Sequence, residues 1–270
     1  MLIDTHAHLN FSAYKDDVDE VLKRTLDGNV WMINVGSQYS TSKRAVEMAE
    51  RYPEGVFAAV GLHPAHLSSG IFKTKIDKEE VEFEIREEEF DCGKYKDLAE
   101  SKKVVAIGEI GFDYWYRPKG KTKLVEFKNK QREVFLQQLN LAKELALPVI
   151  LHCRVAHQDL IDNLDSGTRG VVHCFSGNWA EAQKYLKMGL YLSFNGIIFK
   201  LDLDEVIAKT PLDRILIETD CPYLTPPAVS GRNEPLYVKY VVEKIAKIKG
   251  LNFGEITEIT SKNAKRLFGI

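Results

Sequence analysis

Six residues of this chain, His6, His8, Glu109, His152, His173 and Asp220, are of types that ligate divalent cations, and each stands at or just past the end of an apolar run. His6 and His8 in IDTHAH are two apart, so on an extended strand both side chains point to one side and can reach one cation. Glu109 in AIGEIGFDY is a carboxylate able to bridge two cations about 3.5 to 4 Å apart. His152 in VILHCR and His173 in VVHCFSG add two imidazoles, and Asp220 in LIETDCPYL adds a second carboxylate. The expected grouping is His6, His8 and Asp220 on one metal and His152 and His173 on the other, with Glu109 between. The chemistry is hydrolysis without a redox cofactor: a metal-activated hydroxide attacks an electrophilic centre, with Asp220 as ligand and proton acceptor and Glu109 as the bridge. Imidazole and carboxylate donors suit zinc, manganese or iron, and the expected cofactors are two divalent ions, zinc, magnesium or manganese.

Neighbouring residues face the substrate side of such a site. His63 in VGLHP ends another apolar run, which brings five of the seven histidines to comparable positions; His66 reads as a loop residue and His157 as a helix residue. Arg154, two past His152, either holds a phosphate oxygen or pairs with an acid. Glu218, two before Asp220, either orients a ligand or packs inside the barrel. Arg232 and Asn233 offer donors for phosphate or stabilise their own loop. Tyr114-Trp115-Tyr116-Arg117, followed by Lys119, Lys121 and Lys123, combines stackable rings with cations, or forms an ordinary lid. Cys153, Cys174 and Cys221 adjoin proposed ligands, but alternation turns them away, so they read as packing residues.

Positioning these groups together requires a rim. Apolar runs at Leu2–Ile3, Val30–Val35, Val56–Val60, Val104–Ile107, Pro148–Leu151, Gly170–Val172, Tyr191–Phe194 and Ile215–Ile217 read as eight buried strands. Helix-period segments separate them, including Tyr14–Asp27, Ser40–Arg51, Lys130–Leu145 and Trp179–Lys187, and Leu236–Lys249 and Phe253–Phe268 follow the last strand. Alternation of this kind predicts parallel βαβ units, and eight of them predict a (β/α)8 TIM barrel, whose active face is the C-terminal rim. No GxGxxG follows any strand, which argues against an open dinucleotide-binding sheet. The span Phe72–Lys103 carries dense mixed charge and is expected to be a charged helical insertion between strands 3 and 4.

At 270 residues the chain matches one barrel domain of about 250 residues, so a single domain over 1–270 is expected. Lys and Arg total 37 against 39 Asp and Glu, and this balance leaves no global basic field for nucleic acid. Four dispersed cysteines fit a reducing cytoplasm, and neither a signal peptide nor a membrane span is expected.

The ordered series IDTHAHL, VGLHP, GEIGFDY, LHCR, HCFSG, ETDCPYLTP, GRNEP and NAKRLFG resembles the TatD-family deoxyribonucleases of the amidohydrolase superfamily, nearly end to end. The resemblance implies a (β/α)8 barrel, metal ligands at His6, His8, Glu109, His152, His173 and Asp220, and cleavage of DNA phosphodiesters, commonly as a 3′ to 5′ exonuclease. It also places His63 and Glu218 near the site. The segment between ETDCPYLTP and GRNEP is shorter and less basic than the resemblance implies, and Phe72–Lys103 is longer. Both border the substrate groove. The expected substrate is therefore DNA, single-stranded or at a 3′ end. The alternatives are another bond on the same metals, such as a D-aminoacyl-tRNA ester or a small-molecule amide, and a non-catalytic nucleic-acid-binding protein.

Overall fold

The computed structural model describes the backbone of residues 1–68, 70–76, 79–85 and 87–270, and the side chains outside 69–86. Its strands, in chain order, are β1 (Leu2–Ala7), β2 (Val30–Val35), β3 (Val56–Val60), β4 (Gly70–Ile76), β5 (Glu79–Ile85), β6 (Val104–Asp113), β7 (Val149–Arg154), β8 (Gly170–Val172), β9 (Tyr191–Phe194) and β10 (Ile215–Ile217). Eight of them form one parallel sheet in the order β1-β2-β3-β6-β7-β8-β9-β10. The sheet nearly closes. Ala7 bridges Cys221 in parallel, and the Asp220 N–H donates to the His6 carbonyl at 2.8 Å. The (β/α)8 barrel expected from the strand count is the architecture observed.

Two apolar layers hold it. Ile3, Ile33, Val35, Ala59, Ile150, Val171 and Leu216 fill the barrel interior, while Val30, Met32, Val56, Val60, Val149 and Ile217 face outward against helices. Strands buried on both faces explain the near-continuous apolar runs in the sequence. The last helix, Phe253–Phe268, is capped by Asn252 and Glu255 reciprocally and ends at Gly269, whose φ is +71°. Ala264, Leu267 and Phe268 join the interior cluster, and Ser261 Oγ donates to the Met1 carbonyl at 2.9 Å. That helix therefore plugs the N-terminal end of the barrel and leaves the C-terminal rim for chemistry.

The expected helical insertion is corrected. Within it, β4 and β5 pair antiparallel with Phe72 opposite Phe83 and Thr74 opposite Val81, and only Cys92–Ala99 is helical. The physical reason is period: in EEVEFEI the apolar residues Val81, Phe83 and Ile85 recur every second position between carboxylates. Asp77, Lys78 and Arg86 of that span lie outside the described residues. Three strands also run further than their apolar cores, so His6, Glu109 and His152 lie within β1, β6 and β7 and do not follow them. The helix expected from Lys130 begins at Lys121.

Candidate metal centre

Strict alternation would not bring His6 and Glu109 to the site. Leu2 and Ala7 both pack in the outer layer although they are an odd number of residues apart, and so do Ile107 and Ile110. The register of β1 on β2 shifts between Asp4 and Ala7, and that of β6 on β7 between Ile107 and Ile110. Each shift inserts an extra residue, which re-aims one side chain inward. His152, by contrast, follows the ordinary inward parity set by Ile150. Beside it, Gly111 has φ +146°, and a Cβ there would collide with the His152 carbonyl, so the close approach of β6 to β7 requires glycine.

The six expected ligands converge. His8 Nε2 lies 3.1 Å from His6 Nε2 and 3.3 Å from Asp220 Oδ1, and His6 Nε2 lies 3.9 Å from both Asp220 Oδ1 and Glu109 Oε1. The other Glu109 oxygen, Oε2, is 2.6 Å from His173 Nε2 and 3.0 Å from His152 Nδ1. One carboxylate oxygen thus faces each half of the cluster. The groups close enough to share an ion are His6 with Glu109 and His173, His6 with His8 and Asp220, and His63 with Asp113 and His152.

Hydrogen bonds on the far side of the rings decide which nitrogens offer lone pairs. A carbonyl only accepts, so His8 Nδ1–H donates to Val35 O at 2.8 Å and leaves Nε2 bare toward His6 and Asp220. His152 stands between two carboxylates, Nε2 3.1 Å from Asp113 Oδ2 and Nδ1 3.0 Å from Glu109 Oε2, and a proton held on Nε2 leaves Nδ1 free for a cation beside Glu109 and His173. His173 Nδ1 stands 3.3 Å from Glu218 Oε1, without the alignment of a hydrogen bond. Bare imidazole nitrogens turned on carboxylate oxygens at these distances repel one another unless a positive charge lies between them. This donor set, with outer acceptors orienting the rings, fits a divalent cation.

Protons compete for the same place. Burial opposes charge on His173, yet Glu109 and Glu218 push its pKa well above the ordinary histidine value. Burial likewise opposes the Glu109 charge, and His63 and His173 nevertheless hold its pKa well below the carboxylate range. Burial, reinforced by His173, drives His6 the other way and keeps it neutral.

Around this cluster the residues divide. His63 Nδ1 accepts the Ala65 N–H at 3.0 Å, so Nε2 carries the proton, 3.9 Å from Glu109 Oε2; burial and His152 lower its pKa to about 3. Arg154 ends β7 with its guanidinium 4.4 Å from the centre of the Trp115 ring. Glu218 is fully buried behind His173, accepting the Cys174 N–H at 2.7 Å and Asn195 Nδ2 at 3.0 Å. Asn233 is equally enclosed, donating to the carbonyls of Thr219 and Tyr223 at 3.1 and 2.6 Å on either side of Asp220. Arg232 stacks over Tyr14 at 3.9 Å and binds Asp17 at 2.6 Å and the Ala13 carbonyl. Arg232, Asn233 and Glu218 all make contacts that hold the framework around the cluster.

Two carboxylates missed as site residues stand in motifs already noted. Asp113, in GEIGFDY, orients His152. Asp4, in IDTHAH, accepts the His6 N–H at 3.2 Å and the Thr219 N–H at 2.9 Å, tying β1 to the segment that carries Asp220. His157 lies apart from the centre, 3.3 Å from Cys153 Sγ and 3.0 Å from Tyr185 OH, and burial pushes the Cys153 thiol up to about 12. No thiolate ligand is offered there.

Comparison with known proteins agrees with this architecture. A family model described as TatD related DNase matches residues 3–269. The uncharacterized metal-dependent hydrolase YabD of Bacillus subtilis is 43% identical over 279 residues, covering 100% of both chains. A protein of Erwinia tasmaniensis named 3′-5′ ssDNA/RNA exonuclease TatD is 31% identical, again over 100% of both. The crystal structure of YjjV, a TatD homologue from Escherichia coli K12, superposes with a TM-score of 0.82 at 29% identity, covering 100% of this chain and 98% of that one. With its barrel, its rim of histidines and carboxylates, and a family match over almost its whole length, the chain belongs to the TatD-related DNase family.

Proposed function

We propose that this protein is a metal-dependent phosphodiesterase that shortens single-stranded DNA from its 3′ end. The carrying observation is Glu109, whose two oxygens face opposite halves of the cluster, His6 on one side and His152 with His173 on the other. On this reading residues 1–270 act as one catalytic unit with two divalent ions, zinc, magnesium or manganese. His6, His8 and Asp220 would hold one, His152 and His173 would hold the other, and Glu109 would serve both. The exonuclease name of the Erwinia relative supports the substrate class. Four free cysteines support a reducing, cytoplasmic setting.

Bound divalent cations would supply Lewis acidity, lowering the pKa of a water and neutralising charge that builds on the phosphate. The chain does the rest. Asp220 is the more exposed of the two carboxylates, 15% against 7% for Glu109, and accepts the proton of the attacking water. His63, neutral and with its tautomer set by Ala65 N–H, donates from Nε2 to a phosphate oxygen. Asp113 orients the ring of His152, Glu218 sets a negative charge behind His173, and Asn233 holds the backbone on both sides of Asp220.

The test is a 5′-labelled single-stranded oligonucleotide incubated with protein and magnesium, manganese or zinc. Stepwise shortening from the 3′ end is expected with at least one ion. No shortening with any of the three sinks the nuclease reading. The near-neutral net charge of −2 favours a second reading, hydrolysis of a D-aminoacyl-tRNA ester or a small amide on the same ions, and these substrates belong in the same assay.

A further inference from the structure

Beside the metal centre lies an arrangement that the hydrolytic chemistry does not use. Trp115 follows β6 by two residues, is 56% exposed, and donates its backbone N–H to Asp113 Oδ1 at 2.8 Å. The other oxygen of Asp113 lies 3.1 Å from His152 Nε2. One carboxylate therefore ties the backbone of Trp115 to a ring of the metal cluster. Arg154, two residues past His152, stacks its guanidinium 4.4 Å from the indole centre, and among the described residues no carboxylate pairs with it. The sequence left open whether Arg154 pairs with an acid or holds a phosphate. The structure places it on an aromatic face with its donors unused by any acid.

The next residues continue the same chemistry. Arg117, Lys119, Lys121 and Lys123 are exposed, and among the described residues none of them forms an ion pair. The helix Lys121–Glu144 starts within this run with no acid in its first turn. Four cations follow the exposed indole within eight residues, a local basic run on a chain whose net charge is −2. A cation track with an aromatic platform is how proteins hold single strands, because every base has a face to stack and every linkage has a charge.

We propose that Trp115 and Arg154 form a nucleotide subsite at the mouth of the metal centre, the base stacking on the indole and the neighbouring phosphate held by the guanidinium. Arg117, Lys119, Lys121 and Lys123 extend it as a phosphate track for single-stranded substrate. The proposal rests on the nucleic-acid reading above and adds where the strand runs and what grips it. It also accounts for a near-neutral protein binding a polyanion, since the basic residues are local.

The experiment measures kcat and KM separately for wild type, Trp115→Ala, Trp115→Phe and the double variant Lys121→Glu/Lys123→Glu. The substrates are a dinucleotide, a ten-nucleotide oligothymidylate and a ten-unit strand carrying a run of abasic sites. Removing the indole is expected to raise KM for the oligothymidylate by roughly 5- to 150-fold, the range for losing one base–aromatic stack. The shift in kcat should be small, Trp115→Phe should recover most of the loss, and the abasic strand should show little difference. The lysine double variant should flatten the dependence of KM on salt, since each lost phosphate contact lowers the single-strand slope by about 0.7. An unmoved KM in Trp115→Ala overturns the subsite. So does a kcat loss of equal size on the dinucleotide and the ten-mer, which would mean the change acts by displacing Asp113 and His152. Wild type that shortens no strand overturns the nuclease reading itself, which is a different result from wild type that shortens strands and a variant that does so equally well.

Discussion

Asp113 Oδ2 lies 3.1 Å from His152 Nε2, and a proton held in that contact leaves His152 Nδ1, 3.0 Å from Glu109 Oε2, free for a cation. Burial opposes the Asp113 charge, but the hydrogen bond and charge of His152 hold its pKa below the usual aspartate value. Asp113→Ala should weaken metal binding by about 10- to 100-fold, the usual cost of losing an outer carboxylate on a ligating histidine. Chelator competition followed by metal analysis reads this directly. An affinity equal to that of wild type would remove Asp113 from the ligand framework.

Glu109 carries more of the centre than any other side chain. Glu109→Gln keeps the shape but loses the charge shared between both halves of the cluster, so activity should fall by well over the roughly 100-fold typical of outer partners. The metal content of protein purified without chelator should fall from about two ions per chain toward one or none, the two-ion arrangement being the one that uses a bridge. Undiminished activity with full metal content would show that Glu109 bridges nothing.

Asn233 is a framework residue despite lying in a loop. Its amide donates on both sides of Asp220, and its Oδ1 accepts the Glu234 N–H at 3.0 Å. Asn233→Ala leaves buried carbonyls unpaired, each costing about 1 to 3 kcal/mol. The melting temperature should drop by several degrees, at about 2 to 4 °C per kcal/mol for a chain of this order. The turnover number should fall as well, because Asp220 loses its placement. A variant melting with wild type would assign Asn233 to the substrate side.

The salt bridge of Asp17 with Arg232 predicts a pH effect. The hydrogen bond and charge of Arg232 lower the Asp17 pKa, with Arg24 adding to the effect. A depressed acid binds fewer protons folded than unfolded, so its stabilisation is complete above the unfolded value near about 3.9 and disappears as pH falls through the lowered folded value. Asp17 is 33% exposed, which limits the contribution to about 1 kcal/mol or less. Urea midpoints of wild type and Asp17→Asn should differ at pH 5 to 7 and converge as pH falls below about 3.9, the ordinary aspartate value. A gap that persists unchanged at the acid end would mean the two side chains do not interact as an ion pair.

How much of this was legible beforehand follows from the kind of information each feature needs. Buried parallel strands are written in the chain as apolar runs, and Val30–Val35, Val56–Val60, Gly170–Val172, Tyr191–Phe194 and Ile215–Ile217 form strands with the boundaries expected from composition. Ligand types carry their own chemistry, so His6, His8, Glu109, His152, His173 and Asp220 could be picked out together. The span of β4 and β5 differs from the expected helix because dense mixed charge, common to exposed helices, masks the two-residue alternation of Val81, Phe83 and Ile85.

Tertiary structure alone decided the rest. That His6 and Glu109 face inward depends on two register shifts, which arise from pairing with neighbouring strands and leave no local mark in IDTHAH or AIGEIG. That Arg232 serves Asp17 and Tyr14, while Arg154 rests on Trp115, depends on which partners a long, flexible cation finds across distant segments. The sequence by itself determined a metal-binding barrel, because residue type and spacing are local properties. Which ring nitrogens face the cluster, which carboxylate stands between its two halves, and which cation is left without an acid partner among the described residues were set only when residues far apart in the chain came within hydrogen-bonding distance.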